Sequence, residues 1–476
     1  MTKGKTDGRN VRPKYVNAMI GLSIAMAFPA QADEVTELKA QMNKLLQKIE
    51  ALETRQNATA EKQAATEAKI ATSSAPTSRT PGTFQIPGTE TTVKVGGFIQ
   101  LEATKDIKNT FGGQTYDVFV PFTAANGGIP YKGTVQANRE SGQTQFEART
   151  SRVNLDINTP TAWGNLRTFV ETDFLGTGGT KFQSNSTAFR LRHAYAELGP
   201  WLVGQAWTNQ GDIAQGLNWF DIIGQPVGIP GMGRFPQIRY TYAINPTSKV
   251  SVSLEQPIQD YSGSDVVTFG ATGTTISKNS VDTVPDFTAR YTLADTWGRQ
   301  SVGLILRRIK AEGTNTQSLT AAGSPEIHSS SVTGYLVNYQ GQINLFKTDK
   351  LLYSLIYEDG AGRYMNDLQT SAIMTSTGLD TVKGWGANVG YQHFWKPDLQ
   401  TNVSYGKVHY STSDWTKVSA DKFARYNSAD SFHLNLMWSP VKDSLVGIEY
   451  VYGKIGNDVG NKGDAQRLTL GARYGF

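Results

Sequence analysis

Apolar and polar residues alternate at period two through most of this chain, most sharply in its last ten residues, RLTLGARYGF. Leu468, Leu470, Ala472, Tyr474 and Phe476 share one face there, and Arg467, Thr469, Gly471 and Arg473 share the other. Successive side chains of a β-strand point to opposite faces, so the segment reads as a strand with one apolar and one polar side. A soluble protein could lay such a strand over a core. A membrane barrel gives one face to lipid and the other to its lumen, and its last strand closes the ring against the first.

The same text runs back to Val93. Period-two segments and breakers place a first strand near Val93 to Ala103 and a last at Gln466 to Phe476. Between them two kinds of connection alternate. The short ones fall at 158–164, 199–200, 245–248, 294–299, 346–350, 395–399 and 439–443, each marked by Pro, Asp or Gly. The long ones centre on 104–146, 176–187, 209–236, 257–284, 310–330, 359–382, 411–430 and 454–465. Fifteen connections in strict alternation join sixteen strands. The expected fold is therefore all-β: a 16-stranded antiparallel transmembrane β-barrel over 93–476, with short turns at one end and long loops at the other. About sixteen strands leave a water-filled channel rather than a packed interior.

The N-terminal part has a different pattern. Lys3, Lys5, Arg9, Arg12 and Lys14 precede the apolar run Val16–Phe28 and an A-x-A site at Ala30–Ala32, so residues 1–32 read as a signal peptide that is removed. Val35, Leu38, Met42, Leu45, Ile49 and Leu52 are spaced 3, 4, 3, 4, 3, the seam of a short coiled-coil helix over 33–70. About three heptads are too few to hold subunits together alone. β-branched residues at a with Leu at d lean towards dimers. Residues 71–92, rich in Ser, Thr and Pro, read as a flexible tether.

The barrel pattern assigns faces, and with them a candidate solute pathway. Val153, Leu155 and Ile157 facing lipid put Arg152, Asn154 and Asp156 inside; Leu166 and Val170 outside put Arg167, Phe169, Glu171 and Asp173 inside. Leu191 and Tyr195 outward leave Arg190 and Arg192 inward, with Ala194 and Ala196 below them. The same logic turns Arg239, Arg290 and Arg307 inward, and with Arg290 goes Asp286. Guanidinium is permanently charged and presents a planar fork of donors that suits carboxylates. The inward acids, Glu255 and Glu449 among them, leave a margin of one positive charge, so clustering carries more weight than the sum. The bland alternative is that these arginines only balance the acids.

The loop at 209–236 is too apolar for a free surface. It carries Ile213, Leu217, Trp219, Phe220, Ile222, Ile223, Val227 and Ile229, with Pro226 and Pro230 forbidding a strand. As the third extracellular loop it is expected to fold into the barrel as a constriction, setting Asp212 and Asp221 against the arginine wall. Trp163, Trp201, Trp297, Trp395 and Trp438 sit at or beside short turns, where an aromatic girdle belongs.

Composition narrows the classes. The 476 residues include no Cys, which excludes disulfide scaffolds and thiolate metal sites and suits an oxidising periplasm. The net charge of +5 belongs mostly to the leader; without it 41 basic residues face 40 acidic ones, and nothing points to nucleic acid. Five histidines show no metal-ligand spacing, and no G-x-S-x-G, H-E-x-x-H or P-loop occurs. No cofactor, no metal and no enzymatic activity are expected, although a barrel-embedded hydrolase with parts on separate strands stays open.

Several blocks together resemble the DcaP-type outer-membrane porins. They are LKAQMNKLLQKIEALE, the Ser/Thr/Pro linker, VKVGGFIQLEA, FRLRHAYAEL followed by WLVGQAWT, PQIRYTY, PDFTARYTL and the terminal RYGF. Leu468, Leu470, Tyr474 and Phe476 also resemble the insertion signal of outer-membrane barrels. The resemblance implies a Gram-negative outer-membrane location, a homotrimer, a periplasmic coiled-coil extension and a basic channel for small organic anions, dicarboxylates in particular. It implies as partners outer-membrane lipid, lipopolysaccharide and the barrel-assembly machinery. Of the arginines, Arg190, Arg192, Arg239 and Arg290 lie inside matched blocks; Arg152, Arg167 and Arg307 rest on the face assignment alone. A second reading makes the barrel an anchor for a helix that reaches cell wall or a periplasmic partner.

Overall fold

The computed structural model describes residues 82–108, 142, 144–176, 188–211, 216–220, 226–231, 233–259, 261–262, 267–269, 274–276, 278–313, 329–365, 371–375, 378–411, 426–457 and 462–476, and scattered positions between 40 and 55. The chain divides into two units, residues 1–77 and 78–476. In the first, the described positions Ala40, Asn43, Lys44, Gln47, Lys48, Glu50, Ala51, Leu52, Thr54 and Arg55 are helical, and Thr54 Oγ1 donates to Glu50 O at 2.7 Å. Leu52 is exposed. The leader and the other seam residues, Val35, Leu38, Met42, Leu45 and Ile49, lie outside the described residues.

The second unit is a closed antiparallel barrel of sixteen long strands. They are β1 (Thr92–Lys108), β2 (Arg152–Thr161), β3 (Gly164–Asp173), β4 (Arg190–Leu198), β5 (Trp201–Trp207), β6 (Arg234–Asn245), β7 (Ser248–Glu255) and β8 (Asp286–Asp295). They continue as β9 (Gly298–Gly313), β10 (Ser330–Leu345), β11 (Asp349–Asp359), β12 (Lys383–Lys396), β13 (Leu399–Tyr410), β14 (Tyr426–Trp438), β15 (Ser444–Asn457) and β16 (Lys462–Gly475). The ring closes where β1 pairs with β2 along its first half and with β16 from Phe98↔Gly475 onward. Phe476 N donates to Gly97 O at 3.1 Å, and Gly97 N donates back to Phe476 O at 3.2 Å. On β16 Leu470 and Tyr474, and Phe476 just after it, are exposed outward, while Arg467 and Thr469 are buried inside.

Outward rows carry apolar side chains whose exposure would be costly in water, among them Ile99, Leu101, Val203, Ile238, Val302, Leu355, Val389 and Leu434. Trp163, Trp201, Trp297, Trp395 and Trp438 are all exposed and sit at the short-turn end.

Two features depart from the sequence pattern. The stretch expected as tether up to Thr92 is structured at its end: Thr83–Gln85 pairs antiparallel with Thr92–Lys94 across a turn in which Ile86 N donates to Thr91 O at 2.9 Å. Phe84 and Ile86 alternate around Pro87-Gly88, a hairpin signal hidden by the Ser/Thr/Pro composition. The second departure is inside. The inner face of a water-filled barrel is ordinarily polar, yet Ile305, Leu336, Ile356, Val408 and Ala429 face inward and are dry, in one cluster with Val227, Tyr364 and Met365.

Candidate solute pathway

The apolar inward residues exist because two long connections fold back onto them. Residues 208–211, 216–220 and 226–231 run along the inner wall of β7 to β16, and Gly362–Tyr364, a single 3₁₀ turn after β11, meets them. Trp219, Phe220, Val227 and Ile229 are buried. Backbone polar groups in this segment, which has no ladder of its own, need partners from the wall. Gln340 Nε2 donates to Gln210 O at 2.8 Å, and Asn435 Nδ2 donates to Asn218 O at 2.8 Å. Gln100 Nε2 donates to Phe220 O at 3.0 Å, and Phe220 N donates to the Glu449 carboxylate at 3.0 Å. Further along, Val227 N donates to Ser431 Oγ at 3.0 Å and Ser354 Oγ donates to Gly228 O at 2.6 Å. Gly231 N donates to Tyr364 O at 2.5 Å, and Pro230 bridges to Met365. Glycines in the wall make the berth: a Cβ on Gly471 would strike the Phe220 ring, and one on Gly406 would strike the Val227 carbonyl. Asp212 and Asp221 lie outside the described residues.

With one wall covered, the inward charges of β2 to β6 form the other. Arg167 donates through Nε and Nη2 to Asp156 at 3.0 and 2.9 Å and through Nη1 to Glu197 at 2.9 Å. Arg190 makes a two-pronged contact with Asp173, at 2.9 and 2.6 Å. Arg192 lies between Glu171 (2.6 Å) and Asp173 (3.0 Å), and Arg152 approaches Glu171 at 3.8 Å. Side-chain exposure is 35% for Arg167, 32% for Arg190, 17% for Arg152 and 2% for Arg192, so water reaches the first three and not the fourth. Arg239, half-buried, lies opposite Leu202 and Ser253 on the same inward face. Arg152, Arg167, Arg190 and Arg192 thus each face at least one carboxylate, and this stretch of wall is a ladder of alternating charge.

The faces of β4 change half-way along. Glu171 pairs with His193 and Thr172 with Leu191, so Arg192 is the extra residue of a β-bulge. Arg190 and Arg192 point inward as the alternation predicts. Below the bulge the order flips: Tyr195, expected outside, pairs with inward Phe169 and stands 3.4 Å from Arg167 Nη1, while Ala194 and Ala196 face out. The bulge brings His193 inside too, edge-on to Trp207 at 5.4 Å. Arg234, which the sequence pattern does not single out, stacks on Trp207 at 4.5 Å, with Arg192 over the same ring at 5.7 Å. Arg473, in sequence only one polar-face residue of the last strand, donates to Gln100 Oε1 at 2.5 Å and to Trp219 O at 3.2 Å.

Arg290 and Arg307 belong to the covered wall. Both are at least nine-tenths buried. Arg307 stands 3.6 Å from Asp286 and donates to Ser371 Oγ at 2.8 Å and Ile258 O at 2.5 Å, tying two long connections together. Arg363 joins Asp286 at 3.4 Å, and Tyr364 donates to the same carboxylate at 2.9 Å. Burial, then the neighbouring Glu255 and Asp286, push the Tyr364 hydroxyl well above its ordinary value, so it stays a donor. Asp286, like the arginines, is legible as inward; its role as the hub of the folded-in segments is not, because its partners come from a distant loop.

A sixteen-stranded barrel with one wall charged and the other padded by folded-in loops has porin geometry. The model of the DcaP outer membrane protein family matches residues 22–287 and 341–476. The chain belongs to this family. Among solved structures, the outer membrane channel DcaP of Acinetobacter baumannii aligns with a TM-score of 0.64 at 22% identity, over 83% of this chain and 99% of that one. An anion-selective porin from Comamonas acidovorans aligns with a TM-score of 0.48 at 10% identity, over 81% and 100%. OmpT of Vibrio cholerae aligns at 0.47 and 11%, over 82% and 99%. The search of curated proteins returns no match. As a DcaP-family protein the chain is an outer-membrane channel, and the outward apolar rows are its lipid face.

Proposed function

We propose that this DcaP-family barrel lets small organic anions, dicarboxylates among them, diffuse passively along the wall formed by β2 to β6. The observation that carries the reading is the asymmetry of exposure: Arg152, Arg167, Arg190 and Arg239 keep contact with water, whereas the polar groups of the opposite wall are sealed under residues 208–211, 216–220 and 226–231. Guanidinium donors aimed at a narrow aqueous path replace part of the hydration shell of a carboxylate, lowering the cost of passing the constriction. Arg192, locked between two carboxylates, positions its neighbours rather than meeting solute.

The remaining parts fit the same scheme. Residues 209–236 are the constriction, with Asp212 and Asp221 facing the arginines. Residues 1–32 are the leader, 33–70 a periplasmic coiled coil on a tether, and the functional assembly a homotrimer held mainly by the barrels. Leu468, Leu470, Tyr474 and Phe476 serve as the insertion signal for the barrel-assembly machinery, and the extracellular loops meet lipopolysaccharide. Reversal potentials across planar bilayers under a salt gradient test the core of the reading. Replacing Arg152, Arg190 and Arg239 by Gln is expected to cut the anion-over-cation permeability ratio by roughly tenfold. Cation preference in the native channel, unchanged by the triple variant, would overturn it.

A further inference from the structure

His433 is an inward-facing residue of β14 with no exposed surface, and neither ring nitrogen has a hydrogen-bond partner. Its imidazole lies against Trp219 of the folded-in segment, ring centres 5.2 Å apart. Ser404 of β13 and Val451 of β15 are its cross-strand neighbours, and Ser431 and Asn435 flank it on its own strand. Ser431 and Asn435 are the two groups that hold Val227 N and Asn218 O. His433 therefore sits at the middle of the berth, under the segment's bulkiest side chain, contributing contact but no bond.

We propose that His433 is an acid-sensitive latch: neutral, it lets Trp219 seat on the wall; protonated, it drives the 216–220 segment off the wall and into the channel. A neutral imidazole without partners costs two unmade hydrogen bonds, but an imidazolium in the same place is a buried, unpaired charge, far costlier. Lifting Trp219 admits water and relieves that cost. Among the described residues, the charged group nearest on the adjoining strand is Glu449, one inward position along β15, already engaged by Phe220 N at 3.0 Å and Asn435 Nδ2 at 3.3 Å. Beyond Val451 comes Arg467 of β16, bonded to Asp106 of β1 at 2.8 Å, and Arg473 of β16 donates to the segment itself through Trp219 O. Ser404, Ser431 and Asn435 are uncharged. No carboxylate among them is free to neutralise the new charge.

The sign follows from linkage. The berth offers an imidazolium neither water nor a partner, whereas an imidazole open to water binds its proton near pH 6.5. Lifting is favoured as pH falls below that value, by about 30-fold at pH 5 relative to pH 7.5. Ordinary carboxylates titrate about two pH units lower, so the window from pH 7 to 5 separates imidazoles from carboxylates, and the His433 variants separate this imidazole from the other four.

The inference rests on reading the segment as the constriction, and its test has one arm that does not depend on conduction. The native chain has no cysteine, so Leu217→Cys, at a position whose native side chain reaches Gly390 of the wall, reports on lifting by maleimide labelling of the full barrel in detergent. Labelling is compared between pH 7.5 and 5 in Leu217→Cys and in Leu217→Cys with His433→Gln; the pair cancels the pH dependence of the thiol reaction. Expected is a relative gain in labelling at pH 5 that His433→Gln, or His433→Leu should Gln not assemble, abolishes. Single-channel recordings are expected to show closures gathering over the same window in the native protein only. An equal pH response with and without His433 overturns the latch. A labelling response with unchanged conductance keeps the latch and removes the constriction reading.

Discussion

At the scale of single residues, the ladder on β2 to β4 depends on carboxylates as much as on arginines. Asp173, 1% exposed, is shared by Arg190 and Arg192 and also accepts from Leu175 N at 3.1 Å. Removing the shared negative charge leaves Arg192 without one of the two carboxylates that let it be buried. Breaking such a buried pair costs about 3–5 kcal/mol. Asp173→Asn is therefore expected to lower the denaturant midpoint of the folded barrel while raising anion preference, because two guanidiniums lose a local counter-charge. Urea titration followed by tryptophan fluorescence, with reversal potentials on the same preparation, reads both. A variant with native stability and native selectivity would mean that Glu171 alone holds the cluster. The inward set is legible from alternation as far as Arg192, and alternation fails beyond it for Tyr195, Ala194 and Ala196. A bulge inserts one residue without changing the composition, and nothing in FRLRHAYAEL marks where it falls.

Among the elements, the fit between the folded-in segment and its wall decides how the channel is shaped. Phe220 has no exposed surface and fills the space left by Gly471; Val227 seats over Gly406. The apolar excess of residues 209–236 shows in the sequence that the segment must be covered. It does not show what covers it, because the partners are glycines and small polar residues spread over several strands, each unremarkable alone. Phe220→Ala removes a ring from a full berth, a change that costs about 3–5 kcal/mol where the surroundings cannot collapse. A segment held by a handful of side-chain bonds has little reserve against such a loss. Its backbone is expected to become cleavable by added protease within 209–236 while the barrel strands stay intact, and single-channel conductance is expected to become heterogeneous. Intact segments at native protease resistance would place the segment's anchorage elsewhere, in the Arg307–Asp286–Tyr364 network.

For the whole molecule, the sixteen strands and their alternating short and long connections follow from the periodicity because lipid imposes it. A chain in hydrocarbon must satisfy every backbone group within the sheet, and closure is the only way to leave no edge. That constraint acts on every strand, so its trace is spread over the whole barrel sequence and survives local errors such as the bulge on β4. The seam concentrates the consequence of closure in few residues: β1 is paired along one edge by β2 and then by Thr144–Glu147 and along the other by β16, and the exchanged bonds between Phe476 and Gly97 lie beside Phe98, where the pairings with β2 and β16 overlap. Deleting Phe476 removes both of those bonds and one outward aromatic residue at the membrane interface. The finished barrel has many other rungs between β1 and β16, so its equilibrium stability should fall little. Closing the ring for the first time, however, depends on the last strand finding the first in register, and there the terminal pair counts most. The deletion is thus expected to reduce the yield of heat-modifiable, folded barrel in membranes several-fold, while the folded fraction that does form resists urea nearly as well as the native protein. Equal assembly yield with a large loss of urea resistance would reverse the assignment, making Phe476 a stabiliser of the closed state and not a determinant of closure.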